Sequence, residues 1–135
     1  MKHILSILFI LTAVVGLLTS CQQTDGEIQG EPLEFTVLTQ EEIPSALLEV
    51  IQTHKQNEIK MSYKLEDSYY IIRGYGQQKT GGYSISVNAC VLAEDGIHVD
   101  FSLLGPQTEE AIANEPSFPC IVLKLAYREV PVIFD

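Results

Sequence analysis

The first 20 residues decide how much chain is left to fold. Met1-Lys2-His3 is a short basic start, and residues 4–18 form an apolar run broken only by Ser6, Thr12 and Gly16. Those fifteen residues fall short of the ~20 that a bilayer-spanning helix needs. A basic start, an apolar stretch of this length and the small Thr19 and Ser20 behind it follow the order of an export signal. Taking residues 1–20 from the 135-residue chain leaves 115, of which 49 are apolar, enough for one small packed domain. Lys2 leaves with the leader, so the formal charge moves from −10 to −11, with 7 basic and 18 acidic side chains. A surface so charged repels nucleic acid and anionic lipid headgroups. Multidomain enzymes, nucleic-acid binders and membrane-spanning proteins are thereby excluded.

Leu18-Thr19-Ser20-Cys21 resembles a bacterial lipobox, with Leu, two small residues and then Cys. The resemblance implies that Cys21 is lipidated and becomes the first residue of the mature protein, on the extracytoplasmic side of a bacterial cell envelope. One acyl chain binds a membrane only marginally and two or more anchor stably, so an acidic protein would be held by lipid rather than by charge. Residues 22–32, QQTDGEIQGEP, contain one apolar aliphatic residue, the composition of a flexible tether. The expected organisation is a leader over 1–20, a lipidated Cys and tether over 21–32, and a folded domain over 33–135.

Within that domain, Leu33-Glu34-Phe35-Thr36-Val37-Leu38 alternates as a half-buried strand does. Ile43, Leu47, Val50, Ile51 and His54 then fall on one helical face. Pro44 fits the first turn of a helix beginning near Ile43 and reaching about Gln56; a capping box of Thr39 with Glu42 is the alternative start. From Asn57 the chain reads as β. Residues 60–65 and 68–75 flank Glu66-Asp67 as a hairpin, and residues 83–93 and 97–104 flank Glu94-Asp95-Gly96 as a second. Residues 118–127 form a further strand and 130–134 an edge segment limited by Pro131. These elements predict an α+β domain, one helix packed on a mainly antiparallel sheet of about five strands.

Between the two hairpins lies Gly76-Gln77-Gln78-Lys79-Thr80-Gly81-Gly82-Tyr83. It resembles the Gly-x-x-x-Thr-Gly-Gly-Tyr segment of the PrcB C-terminal domain family. Phe118-Pro119, with the strand behind it, is similar to that family's aromatic-Pro strand, and the likeness extends over roughly residues 33–125. Cys120, where an aromatic is usual, and Gln77-Gln78, where a Pro often precedes the Thr, depart from the pattern. The resemblance implies a non-catalytic accessory domain of a lipoprotein associated with a surface protease complex. A fainter similarity links the loop to chagasin-like cysteine-protease inhibitors. Paired glycines let a partner approach the main chain, and their N–H groups can form an acceptor-binding concavity. Lys79, Thr80, Gly81, Gly82 and Tyr83 are accordingly the expected partner-binding residues, with a turn plus a core tyrosine as the plainer reading.

Catalysis has little to draw on. His54 and His98 are not placed by any motif beside Ser, Cys or carboxylate. Cys90 and Cys120 lack metal-ligand spacing, and Glu41-Glu42 and Glu109-Glu110 read as solvated faces. No enzyme activity, cofactor or metal is expected. Strand alternation puts Cys90 on a face with Ser84, Ser86 and Asn88, and Cys120 on a face with Lys124, which allows a Cys90–Cys120 disulfide if the strands are neighbours. The expected role is binding of a protein partner such as an extracytoplasmic protease, with protease inhibition or small-ligand binding as alternatives.

Overall fold

The computed structural model describes residues 28–135. The leader expected over 1–20 and the lipidation expected at Cys21 lie outside these residues. Strands β1 (Glu31–Pro32) and β2 (Thr36–Val37) precede helix α1 (Ser45–His54). The hairpins follow as β3 (Glu58–Leu65) with β4 (Ser68–Tyr75), and β5 (Ser84–Ala93) with β6 (Gly96–Leu104). Strands β7 (Cys120–Ala126) and β8 (Val132–Phe134) close the chain.

Among the described residues the α+β class and the single α-helix are as expected; the single sheet is not. Two four-stranded sheets form, in the orders β1-β5-β6-β8 and β2-β7-β4-β3, antiparallel except that β8 runs parallel to β6. The reason lies in β4. Tyr70, Ile71 and Ile72 are all buried, and a strand with neighbouring residues buried on both faces needs a cover on each. One cover is α1, whose Leu47 and Ile51 pack with Ile59, Tyr70, Ile72 and Val122. The other is the second sheet, whose Cys90, Ile97 and Val99 pack with Ile71, Leu123 and Leu125. The layers are thus helix, sheet, sheet, with β4 and β7 between two cores.

The helix begins at Ser45, with Pro44 at its N-cap, and the Pro44 carbonyl accepts from the N–H groups of Leu47 at 2.9 Å and Leu48 at 3.0 Å. The alternative start at Thr39 does not begin this helix but a separate turn. Thr39 N–H donates to the Glu42 carboxylate at 2.8 Å and caps a 3-10 turn over Gln40–Glu42. Ile43 is extended (ψ 127°) and separates that turn from the helix.

Strand β5 changes face partway. Val87 pairs with Phe101 and Ala89 with Asp100, so Asn88 is an extra residue, a β-bulge. Ile85 and Val87 face inward before it, as Cys90 and Leu92 do after it, opposite the inward Leu103, Phe101, Val99 and Ile97. The parity that grouped Cys90 with the serines is therefore wrong. Cys90 belongs to the core between the sheets and Cys120 packs against the helix-side core. Both thiols are free, and the disulfide considered for them is not formed. Burial pushes the Cys90 thiol up from its ordinary value and the Cys120 thiol up to about 11.

Candidate protein-interaction site

The glycine loop leaves β4 at a braced end. Arg73, 9% exposed, donates to Glu58 Oε1 at 2.8 Å and to the Gly74 carbonyl at 2.6 Å, and its guanidinium lies 3.8 Å from the Tyr75 ring centre. Each of these contacts is charge-assisted or cation–π, so a buried cation is compensated from several sides. Gly76 follows at φ +71°, where a β-carbon would stand 3.1 Å from the Gln56 carbonyl oxygen. Only glycine takes that turn against that backbone without strain.

Beyond Gly76 the loop is stitched to a segment that carries no periodic signal, residues 113–117. Gln78 N–H donates to Ser117 O at 2.8 Å and Ser117 N–H to Gln78 O at 3.1 Å, an isolated antiparallel bridge. The Ser117 hydroxyl donates to Thr80 O at 2.6 Å, and Gly81 N–H donates to Ala113 O at 3.0 Å. A β-carbon on Gly81 would come within 3.1 Å of the Ala113 Cβ, so this glycine serves close packing. Gly82, at φ +86°, serves the turn.

The expected partner-binding residues therefore divide. Lys79 and Gly82 are exposed; Thr80, Gly81 and Tyr83 are half-buried. The Thr80 hydroxyl donates to the Gly81 carbonyl at 3.2 Å, and Tyr83 lines a shallow hollow with Ile85, Pro119 and Ile121. The Gly81 N–H, expected to be open to an acceptor, is already bonded within the protein. What the loop offers a partner is the Lys79 cation, which has no carboxylate partner among the described residues, beside an exposed glycine. Nearby, Lys55 lies 4.7 Å from the Phe118 ring centre, which ties the residue after α1 to the start of β7. Residues 113–117 were not legible as part of the site; the small and polar Ala113, Asn114 and Ser117 near a Gly-Gly pair were the signal available.

A second polar group forms at the far end of the other sheet. The His98 ring reaches Asp95 Oδ1 through Nε2 at 2.7 Å and Asp135 Oδ2 through Nδ1 at 2.8 Å. Sequence reasoning placed no carboxylate beside this histidine; the β5–β6 turn supplies one and the residue after β8 the other. Hydrogen bonds to both carboxylates hold the imidazole above its ordinary value, and the bond to His98 holds Asp95 below the usual carboxylate range. The bond to Asp135 fastens the end of β8 to the hairpin, and the bond to Asp95 steadies the β5–β6 turn. His54, by contrast, is exposed and donates through Nδ1 to the Val50 carbonyl at 2.8 Å. Among the described residues no group of three or more His, Cys, Asp and Glu could hold a metal ion.

Comparison with curated proteins and with solved structures gave no match. The family model described as PrcB C-terminal matches residues 69–126, a span narrower than the resemblance drawn from the sequence. It runs from β4 through the glycine loop and the β5–β6 hairpin to the end of β7, so it includes strands of both sheets. The chain is accordingly PrcB C-terminal domain-like over residues 69–126.

Proposed function

We propose that this chain is a membrane-anchored extracytoplasmic lipoprotein whose PrcB C-terminal domain is a non-catalytic accessory part of a protease complex. The observation that carries the reading is the family match, with the Lys79-Thr80-Gly81-Gly82-Tyr83 loop inside the matched span. The hydrogen bonds from residues 113–117 support it, because a contact loop held in one conformation loses less entropy when it binds. The leader over 1–20 and Cys21 supply the anchor, and the residues after Cys21 supply reach from the membrane. Lys79 and Gly82 would make first contact with the partner, Lys79 by charge and Gly82 by close approach of its backbone.

Capture of the intact lipoprotein from native membranes tests the contact, comparing the unchanged chain with Lys79→Glu and Gly82→Val. Loss of a co-purifying protease in both variants supports the reading, and undiminished recovery in both refutes the loop assignment. Palmitate labelling of the chain and of Cys21→Ala tests the anchor separately. Label retained by the Cys21 variant would exclude lipidation there.

A further inference from the structure

The two sheets have four edges, and three of them are two or three residues long: β1, β2 and β8. The fourth, β3, presents eight residues. Its hydrogen-bonding phase follows from its neighbours. Tyr75 N–H donates to Pro119 O at 3.0 Å and Tyr127 N–H to Asp67 O at 2.9 Å, so the odd-numbered residues of β4 turn their backbone groups toward β7 and the even-numbered ones toward β3. Ile59, Met61, Tyr63 and Leu65 stand opposite those even residues. The N–H and C=O groups of Glu58, Lys60, Ser62 and Lys64 therefore point away from the sheet. An edge of this length is a template for a further strand.

Side chains decide what fits it. One face of β3 carries Glu58, Lys60, Ser62 and Lys64, and the other carries Ile59, Met61 and Tyr63 beside the helix-side core. Lys64 lies 4.2 Å from the Tyr127 ring centre but has no carboxylate partner among the described residues. Consider a second β3 laid antiparallel on the first, with the two-fold axis at Met61. Glu58 then stands opposite Lys64 of the second copy, and by symmetry this pair occurs twice. Lys60 stands opposite Ser62, and on the other face Met61 meets Met61 and Ile59 meets Tyr63. Moving the axis by one residue, to Lys60 or Ser62, sets lysine against lysine, which is unfavourable directly across a sheet.

We propose that β3 is the interface of a symmetric dimer, joining two copies of the β2-β7-β4-β3 sheet into one eight-stranded sheet with its axis at Met61. Charge complementarity and the matching apolar face favour this occupant over a strand of unrelated sequence. The two-fold repeat of each contact is what an isologous interface requires. This proposal is independent of the role given to the glycine loop.

Cysteine cross-linking of the full-length chain in its native membrane tests it. In the proposed register Met61 faces itself in a non-hydrogen-bonded pair, where Cα atoms stand ~4.5 Å apart, within reach of a disulfide. Met61→Cys should give a covalent dimer on mild oxidation. Ser62→Cys should not, because its two copies are displaced along the strands, and the unsubstituted chain supplies the background. On the Met61→Cys chain, Lys64→Glu should lower dimer yield on the order of fivefold, since two opposite-charge pairs become two like-charge pairs. Ser62→Glu should raise it by setting a carboxylate opposite Lys60. Both substitutions add negative charge, so general repulsion between acidic copies cannot move them in opposite directions. Equal cross-linking at 61 and 62, none at either, or a fall in yield with both glutamates would overturn the dimer.

Discussion

The bulge at Asn88 leads to a test in which deleting a residue costs less than deleting its near neighbour. Asn88 accepts from the Ser86 hydroxyl at 3.0 Å and donates through Nδ2 to Asp100 Oδ2 at 3.0 Å and Ser102 Oγ at 2.7 Å. A typical hydrogen bond contributes about 0.5–1.5 kcal/mol net, and this exposed group lies at the low end. Asn88→Ala should therefore cost about 1–2 kcal/mol, a fall in Tm of roughly 5–10 °C for a domain of this size. Deleting Asn88 loses the same bonds and straightens the strand. Ile85, Val87, Cys90 and Leu92 all keep their inward positions, because the bulge is the one place where the alternation slips. The deletion should lie within about 1 kcal/mol of Asn88→Ala. Deleting Ser86 has no such escape. It turns Ile85 outward, or it turns Val87 outward and Asn88 inward, and a displaced aliphatic side chain costs about 1.5–3 kcal/mol. A buried, unpaired amide adds about 1–3 kcal/mol in the second case. Thermal and urea unfolding followed by circular dichroism measure all three variants. If deletion of Asn88 proves as damaging as deletion of Ser86, the bulge is not a simple one-residue insertion and the face assignment of β5 fails.

Three further outcomes are expected. His98 is held above its ordinary value, so the stabilisation from its charged form is complete below pH about 6.5 and is lost as pH rises through the raised value. Asp95 is held below its ordinary value and contributes above that value, with loss only as pH falls through the lowered one. Hydrogen exchange at the amides of Ile97 and Asp135, which donate to Pro131 O and Val99 O, should lose protection at alkaline pH, after correction for intrinsic rates. His98→Gln should abolish that dependence, and an unchanged profile in the variant would remove His98 from the account. The Cys120 thiol, at about 11, is ~0.1% thiolate at pH 8 against ~25% for a free cysteine. Alkylation of the native protein should be slower than that of the urea-unfolded chain by about two orders of magnitude. Gly96→Ala places a β-carbon 2.4 Å from the Pro131 carbonyl oxygen at φ +148°. It should destabilise by at least about 1 kcal/mol and loosen β8 first, as amide exchange at residues 132–135 would report.

Much of this architecture is legible in residues alone. Leu47 and Ile51 mark the buried face of α1 through helical spacing, and Glu66-Asp67 and Asp95-Gly96 mark the hairpins through turn chemistry. The second sheet was hidden because its edge strands β1 and β8 are two and three residues long, too short for any period to register. Its presence was nevertheless written in Tyr69-Tyr70-Ile71-Ile72, an unbroken apolar run that a sheet covered on one face would not use. Cys90 was misplaced because a bulge changes parity without any mark in composition. The glycine loop was found, but its brace was not, since residues 113–117 contribute mainly backbone groups and one serine hydroxyl. His98 gained its carboxylates from a turn three residues back and from the residue after β8, 37 residues on; only the first was within reach of a local reading.

The position of β7 has a consequence for how the chain is made. Residues 120–126 are synthesised after both hairpins, yet they form an inner strand and contribute Val122 to one core and Leu123 and Leu125 to the other. The β3–β4 and β5–β6 hairpins are local and can form early, but until β7 arrives β4 is bare along one side and neither core can close. Folding must then wait until residues 120–126 have been made. A truncation before residue 120 should therefore leave two isolated hairpins rather than a smaller domain.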